Sequence, residues 1–309
     1  MSNTATVLAF DFGASSGRAI RAVCDGQNLN YEEIHRFENI PIEKDGHLCW
    51  DVETLLKEIH TAIQKAGTFD SLGFDTWGVD FGLLDADGHL LANPVHYRDV
   101  RTNGKPEQAA ACMPAEELYA HTGNQIMAIN TLFQLLALRE QDPELLQKAA
   151  QILFMPDLFA ALLGAEPVCE RSIASTSQML DPRTGQWSRE VLSVYGLPEN
   201  RFAPIVASGT VTGTLANGAK IIAVAGHDTQ CASAAMPCAE EDAEHTAFLS
   251  CGTWSLLGTE LDAPILTADS CQSGLSNELG ANGKINYLKN IIGLWLIQES
   301  RREYKRRGQ

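Results

Sequence analysis

The run TVLAFDFGASSGRAIRAV, residues 6–23, constrains the fold more than any other stretch. Two apolar β-forming segments flank a short linker of small residues, so the second strand is expected to return beside the first. After the turn DGQN, LNYEEIHRFE reads as a third strand, and three consecutive antiparallel strands open the chain. Much later, TAFLSCGTWSLLGTE repeats the device: strand, glycine–hydroxyl turn, strand. Two such hairpins far apart predict two halves facing each other across a ligand cleft.

Between them the elements alternate. Asp51 reads as the cap of a helix whose apolar face is Val52, Leu55, Leu56, Ile59, Ala62 and Ile63, with Gly67 ending it. SLGFDTWGVDFGLLDADGHLL returns to strands around a DADG turn. Residues 107–164 read as mainly helical, and GAKIIAVAGHDTQCASAA as a strand, a Gly-His-Asp turn and a helix of small residues. The acidic CAEEDAEH is a candidate domain junction.

The first hairpin, DFGASSGR, is neither a Walker A loop nor the G-x-G-x-x-G of dinucleotide folds. Gly13 and Gly17 can take positive φ and let the backbone approach an anion closely. Ser15 and Ser16 add hydroxyls, and Arg18 supports the loop. Asp11 opposes a phosphate unless a hard cation lies between them, so it is a candidate Mg²⁺ partner. A solvated hairpin is the plain alternative.

In AGHDT, Asp228 fits two roles. It is either a helix N-cap or a general base aimed into a cleft, with His227 beside it. At a helix N-terminus the dipole should keep the carboxylate ionised and hence weakly basic. Phosphoryl transfer tolerates a weak base, because positioning supplies most of the acceleration. Gly252, Thr253 and Ser255 of the second hairpin offer a hold on the phosphate from the opposite side. DTWGVDF suits sugar hydroxyls, or else places Trp77 in a core with Asp75 and Asp80 at strand edges. In YRDVRTNG, Arg98, Asp99 and Arg101 read as an internal ion-pair network or as direct chemistry.

Composition narrows the partners. With 309 residues and 45% hydrophobic content the chain is long enough for two domains, and its formal net charge of −16 argues against nucleic acid and anionic membranes. The eight cysteines are scattered without a C-x-x-C, which fits reduced cytoplasmic thiols rather than disulfides or a zinc site. MSNTATVLAF lacks the basic and apolar regions of a signal peptide, and IIGLWLI is too short to span a bilayer.

In chain order, DFGASSGR, EIHRFEN, WDVETL, DTWGVDFGLLDADG, YRDVRTNG, NTLFQL, MPDLFAALLG, AGHDT, LSCGTWSLLG and LKNIIGLWLIQE resemble the FGGY carbohydrate kinases of the actin/hexokinase ATPase-fold superfamily. DTWGVDF and YRDVRT point, within that family, to the branch that phosphorylates L-rhamnulose. The resemblance implies an α/β fold of ribonuclease H-like (actin/hexokinase-type) domains, the first lobe complete and the second only begun. Residues 1–240 would form the sugar-binding and first phosphate-loop domain, and 241–309 the beginning of the nucleotide-binding domain.

The same resemblance implies ATP and Mg²⁺ as cofactors and L-rhamnulose as the phosphate acceptor, in the cytoplasm, with no nucleic-acid or membrane partner. It implies Asp228 as proton acceptor, and Gly78, His227, Asp228, Thr229 and Asn290 as sugar contacts. Ala14, Ser15, Ser16, Gly17, Arg18, Thr253 and Gln298 would contact ATP. Asn290 and Gln298 are expected on one apolar helix, LKNIIGLWLIQE, of the kind a complete second lobe would cover. The family pattern continues past RREYKRRGQ, so that lobe is expected to be incomplete here. Two alternatives stand beside this reading: a sugar-binding fragment without turnover, and a kinase for a related ketose or polyol.

Overall fold

The computed structural model describes residues 4–239, 242, 245–252 and 254–308. Strands β1 (Ala5–Phe12) and β2 (Ser16–Cys24) form the expected antiparallel hairpin, with Asp11 opposite Arg18. β3 (Leu29–Glu38) continues antiparallel on β2. β4 (Ser71–Thr76) lies parallel to β1 on its other side, which requires a crossover, and helix α1 (Val52–Ala66) supplies it. β5 (Thr210–Thr214) and β6 (Lys220–Ala223) complete a mixed sheet of order β5-β6-β4-β1-β2-β3.

The Asp51 side chain accepts from Thr54 N–H at the start of α1, and Gly67 ends the helix at φ 66°. Val52, Leu55, Ile59 and Ala62 recur at helical spacing and are buried. Helices α2 (Thr131–Gln141) and α3 (Met155–Leu162) follow. Phe159 of α3 stacks on Phe12 with ring centroids 4.8 Å apart, and Phe10 stacks on Phe74 at 4.8 Å. These rings anchor the core beneath the first hairpin.

Neither Gly13 nor Gly17 uses the positive φ open to a glycine. A Cβ at Gly17 would run into the ring of Phe37 on β3, so this glycine exists for close packing. Gly17→Ala is therefore expected to lower stability by about 1–3 kcal/mol through overpacking. A thermal melt reads this directly, and an unchanged midpoint would refute it.

The second sheet contains β7 (Phe248–Cys251), β8 (Trp254–Leu261), β9 (Ser276–Leu279) and β10 (Ile285–Ile292), all antiparallel, in the order β7-β8-β10-β9. β9 is wholly buried. Gln125 N–H donates to Ser276 Oγ at 2.9 Å, Asn277 Nδ2 to Gly123 O at 3.1 Å, and Leu279 N–H to Ser175 Oγ at 3.0 Å. The second sheet is thus seated on loops that surround the first.

Two expectations change. Within 107–164, Gln151–Phe154 is a strand paired with Phe81–Leu84, because a short apolar run does not reveal its period. LKNIIGLWLIQE is not one helix. Its first part is the end of β10, and α5 (Trp295–Arg306) begins only after Gly293. β-Branched Ile291 and Ile292 suit a strand, and their side chains are exposed, as are those of Leu296 and Ile297. Among the described residues no helix is long and apolar enough to cross a membrane.

Candidate active site

A cleft of about 450 Å³ lies between the two glycine hairpins. Asp11, Gly13, Ala14 and Ser15 line it from one side, and Ser250, Gly252 and Trp254 from the other. Gly78, His227, Asp228, Thr229, Asn290 and Gln298 also line it, Asn290 from β10 rather than from a helix. Ser16, Gly17 and Arg18 belong to β2 and are not among the lining residues. Arg18 instead donates Nε and Nη2 to Asp11 Oδ2 at 2.8 and 2.5 Å. Ser255 is likewise outside the lining, and Thr253 lies outside the described residues. Asn39 pins the first hairpin by donating Nδ2 to Gly13 O at 2.9 Å.

The Gly-His-Asp turn joins β6 to helix α4 (Asp228–Ala234). His227, not Asp228, occupies the N-cap position, and Asp228 is the first helical residue. Gly226 N–H donates to Glu170 Oε2 at 2.9 Å. Ser172 Oγ donates to the same oxygen at 2.5 Å and accepts His227 N–H at 3.3 Å. From the second sheet, Glu278 Oε2 lies 2.9 Å from His227 Nδ1 and accepts Gln230 Nε2 at 2.8 Å. A Cβ on Gly78 would stand 3.4 Å from His227 Nε2, so a side chain there would crowd the cleft wall.

Electrostatics reverse one expectation. Enclosure by the cleft walls raises the Asp228 carboxyl above its ordinary value, although His227 and the Thr229 N–H oppose the shift and Asp11 adds to it. The net shift is upward, so Asp228 is a better proton acceptor than its place on α4 suggests. Asp75, beside Asp11 in the β1–β4 register, is held well above the usual range by burial and by the Asp11 and Asp228 charges.

Asp80 is no strand-edge carboxylate. It is fully buried, and it accepts Trp50 Nε1 at 2.7 Å, Trp77 Nε1 at 3.0 Å, Tyr97 N–H at 3.2 Å and Gln134 Nε2 at 2.9 Å. This hub sets the Trp77 ring in the cleft wall. Among the described residues no ion pair joins Arg98, Asp99 and Arg101. Arg101 donates to Gln134 Oε1 at 2.9 Å, and Asp99 accepts Leu48 N–H at 2.9 Å. The Arg98 guanidinium lies over the rings of Tyr97, Trp254 and Trp295 at 5.1, 5.6 and 5.2 Å, bridging to the second sheet by cation–π contacts.

Residues 6–234 match the FGGY family of carbohydrate kinases, N-terminal domain. The chain belongs to the FGGY family of carbohydrate kinases. It is 42% identical over 307 residues to a rhamnulokinase of Bacteroides thetaiotaomicron, covering 95% of this chain and 63% of that protein. It is 40% identical over 312 residues to one of Halalkalibacterium halodurans, covering 97% and 66%. The chain therefore spans less than two thirds of the length of these curated relatives. Among solved structures, it is similar to a carbohydrate kinase from Novosphingobium aromaticivorans, with a TM-score of 0.79, 22% identity and coverage of 94% of this chain and 63% of that one. A ligand-bound xylulose kinase from Lactobacillus acidophilus gives 0.77 at 17% identity, covering 92% and 59%. The α/β fold is that of these sugar kinases.

In this FGGY chain, sequence reasoning overlooked Glu170, Glu278 and the anchoring role of Asn39. Glu170 and Glu278 are 1% and 4% exposed, so they belong to the interior despite their charge. The available signal was a single acid among apolar and small neighbours, in PVCERSIAS and GLSNELGAN.

Proposed function

We propose that these residues serve the ATP-dependent phosphorylation of L-rhamnulose at its terminal hydroxyl, giving L-rhamnulose 1-phosphate in L-rhamnose breakdown. The observation that carries the reading is the position of Asp228, in one cleft with both glycine hairpins. Identity of about 40% to proteins named rhamnulokinase supports the choice of sugar.

In this reading the sugar lies along Trp77 and Gly78, with His227, Thr229 and Asn290 as hydrogen-bond partners. Ala14 and Ser15 hold the ATP phosphates from one side. Gly252, with Thr253, holds them from the other, and Gln298 contacts the nucleotide. Asp228 takes the hydroxyl proton as the sugar oxygen bonds to the terminal phosphorus. The bond from that phosphorus to the bridging oxygen breaks, and its electron pair leaves with ADP. The rise in the Asp228 pKa assists that proton transfer.

Asp11 is a hard oxygen donor in the cleft wall, beside Ala14 and Ser15 of the proposed phosphate loop, and a carboxylate there suits a divalent cation. Asp11 is the residue that would hold Mg²⁺, which supplies charge neutralisation to the phosphates when bound. We draw the boundary between the 1–240 and 241–309 units within CAEEDAEH, and the division is supported by two separate sheets, one built from residues before that stretch and one from residues after it. A cytoplasmic setting accords with eight unpaired thiols.

The test is a ketose panel with Mg-ATP and coupled detection of ADP. L-Rhamnulose is expected to exceed L-xylulose and L-fuculose by roughly tenfold or more in kcat/KM. Equal turnover would sink the assignment. Calorimetric binding of L-rhamnulose without ADP release would favour the non-catalytic sugar-binding reading.

A further inference from the structure

We propose that Glu278 is a positioning residue: from the second sheet it fixes the ring of His227 and, through that ring, the charge beside Asp228. This rests on the reading of Asp228 as proton acceptor. Glu278 sits on buried β9, and one of its oxygens meets both His227 Nδ1 and Gln230 Nε2. With Nδ1 engaged there, the other ring nitrogen, Nε2, lies 3.4 Å from Asp228 Oδ1. A histidine's hydrogen bond at one nitrogen decides what the other presents.

The groups facing His227 are Glu278 from β9, Asp228 on its own turn and Asp75 from β4, all acidic. Burial alone would lower the imidazole, but these carboxylates outweigh it and raise the ring to about 9. The charged ring in turn lowers Asp228 against the effect of its enclosure. Glu278 belongs to the second sheet, and His227 to the turn that follows β6 of the first. The surroundings of the proton acceptor are therefore complete only when the second sheet is seated on the first. Gln230 and Asn286 extend the same contact, with Asn286 Nδ2 donating to Gln230 Oε1 and, at 3.0 Å, to Ser233 Oγ.

Histidine side-chain NMR on the whole chain tests this without sugar or nucleotide, so it stands apart from the fate of the rhamnulose reading. One of the eight histidines, identified by its loss in His227→Gln, is expected to titrate near pH 9. Glu278→Gln is expected to lower that midpoint by one pH unit or more. A midpoint unchanged in Glu278→Gln overturns the proposal. Should that variant fail to fold, ¹⁵N shifts of the native ring decide. A proton on Nδ1 is expected, and a neutral ring protonated only on Nε2 overturns the proposal.

Discussion

Asp228→Asn is expected to lower kcat for the proposed phosphorylation of L-rhamnulose by roughly 10²–10⁴, the usual effect of losing a general base. Sugar affinity by calorimetry should change little, because the amide keeps the size of the carboxyl and the turn around it is held elsewhere. Glu170 fixes Gly226 and Ser172, and Glu278 fixes His227. A matched fall in kcat and in binding would mean that Asp228 orients the sugar rather than takes its proton. An unchanged kcat would remove it from the chemistry altogether.

Asp80→Ala is expected to cause the largest loss of stability of any single change considered. It strips the acceptor from two indoles, a backbone N–H and the Gln134 amide, all in the interior. Each orphaned buried donor costs about 1–3 kcal/mol, against a total stability of about 5–15 kcal/mol for a typical domain. Asp80→Asn keeps one oxygen for the three donors that share Oδ2 and should cost far less. Urea melts of the two variants read the difference, and equal losses would show that the acceptor geometry is unimportant.

The native chain and Asp80→Asn should also differ in the pH dependence of their stability. Burial raises the Asp80 carboxyl from 3.8 to about 6, against the pull of its four donors. Between these values the folded chain binds a proton that the unfolded chain has released. The contribution of Asp80 to stability is thus fully present below pH 3.8 and is lost as pH rises through about 6. The loss is on the order of 3 kcal/mol. It should be missing from the pH dependence of Asp80→Asn. Identical pH dependence in both chains would contradict it.

What the sequence made legible was local. The strand–glycine–strand hairpins, the Asp51 cap and the Gly-His-Asp turn each lie within a few residues, and propensity plus turn chemistry suffices to see them. What escaped was set by distant partners. Asp80 draws its donors from Trp50 and Gln134, 30 and 54 positions away, and Glu278 meets His227 across 51. No periodicity encodes such a meeting. Gly17 was ambiguous because one residue type serves both positive φ and close packing, and only the Phe37 ring tells them apart. Asn290 was misplaced on a helix because a short apolar run fits either period.

The indole hub also makes the cleft its own optical gauge. Trp50 and Trp77 lie with ring centroids 4.0 Å apart in the interior, while Trp254 and Trp295 share the Arg98 guanidinium on the far side. A ligand settling against Trp77 should therefore alter the blue, shielded part of the emission. A shift of the second sheet should alter the redder part, from the less buried Trp254 and Trp295. Occupancy of the cleft and displacement of the second sheet become separable in an unlabelled sample, from the colour of its fluorescence.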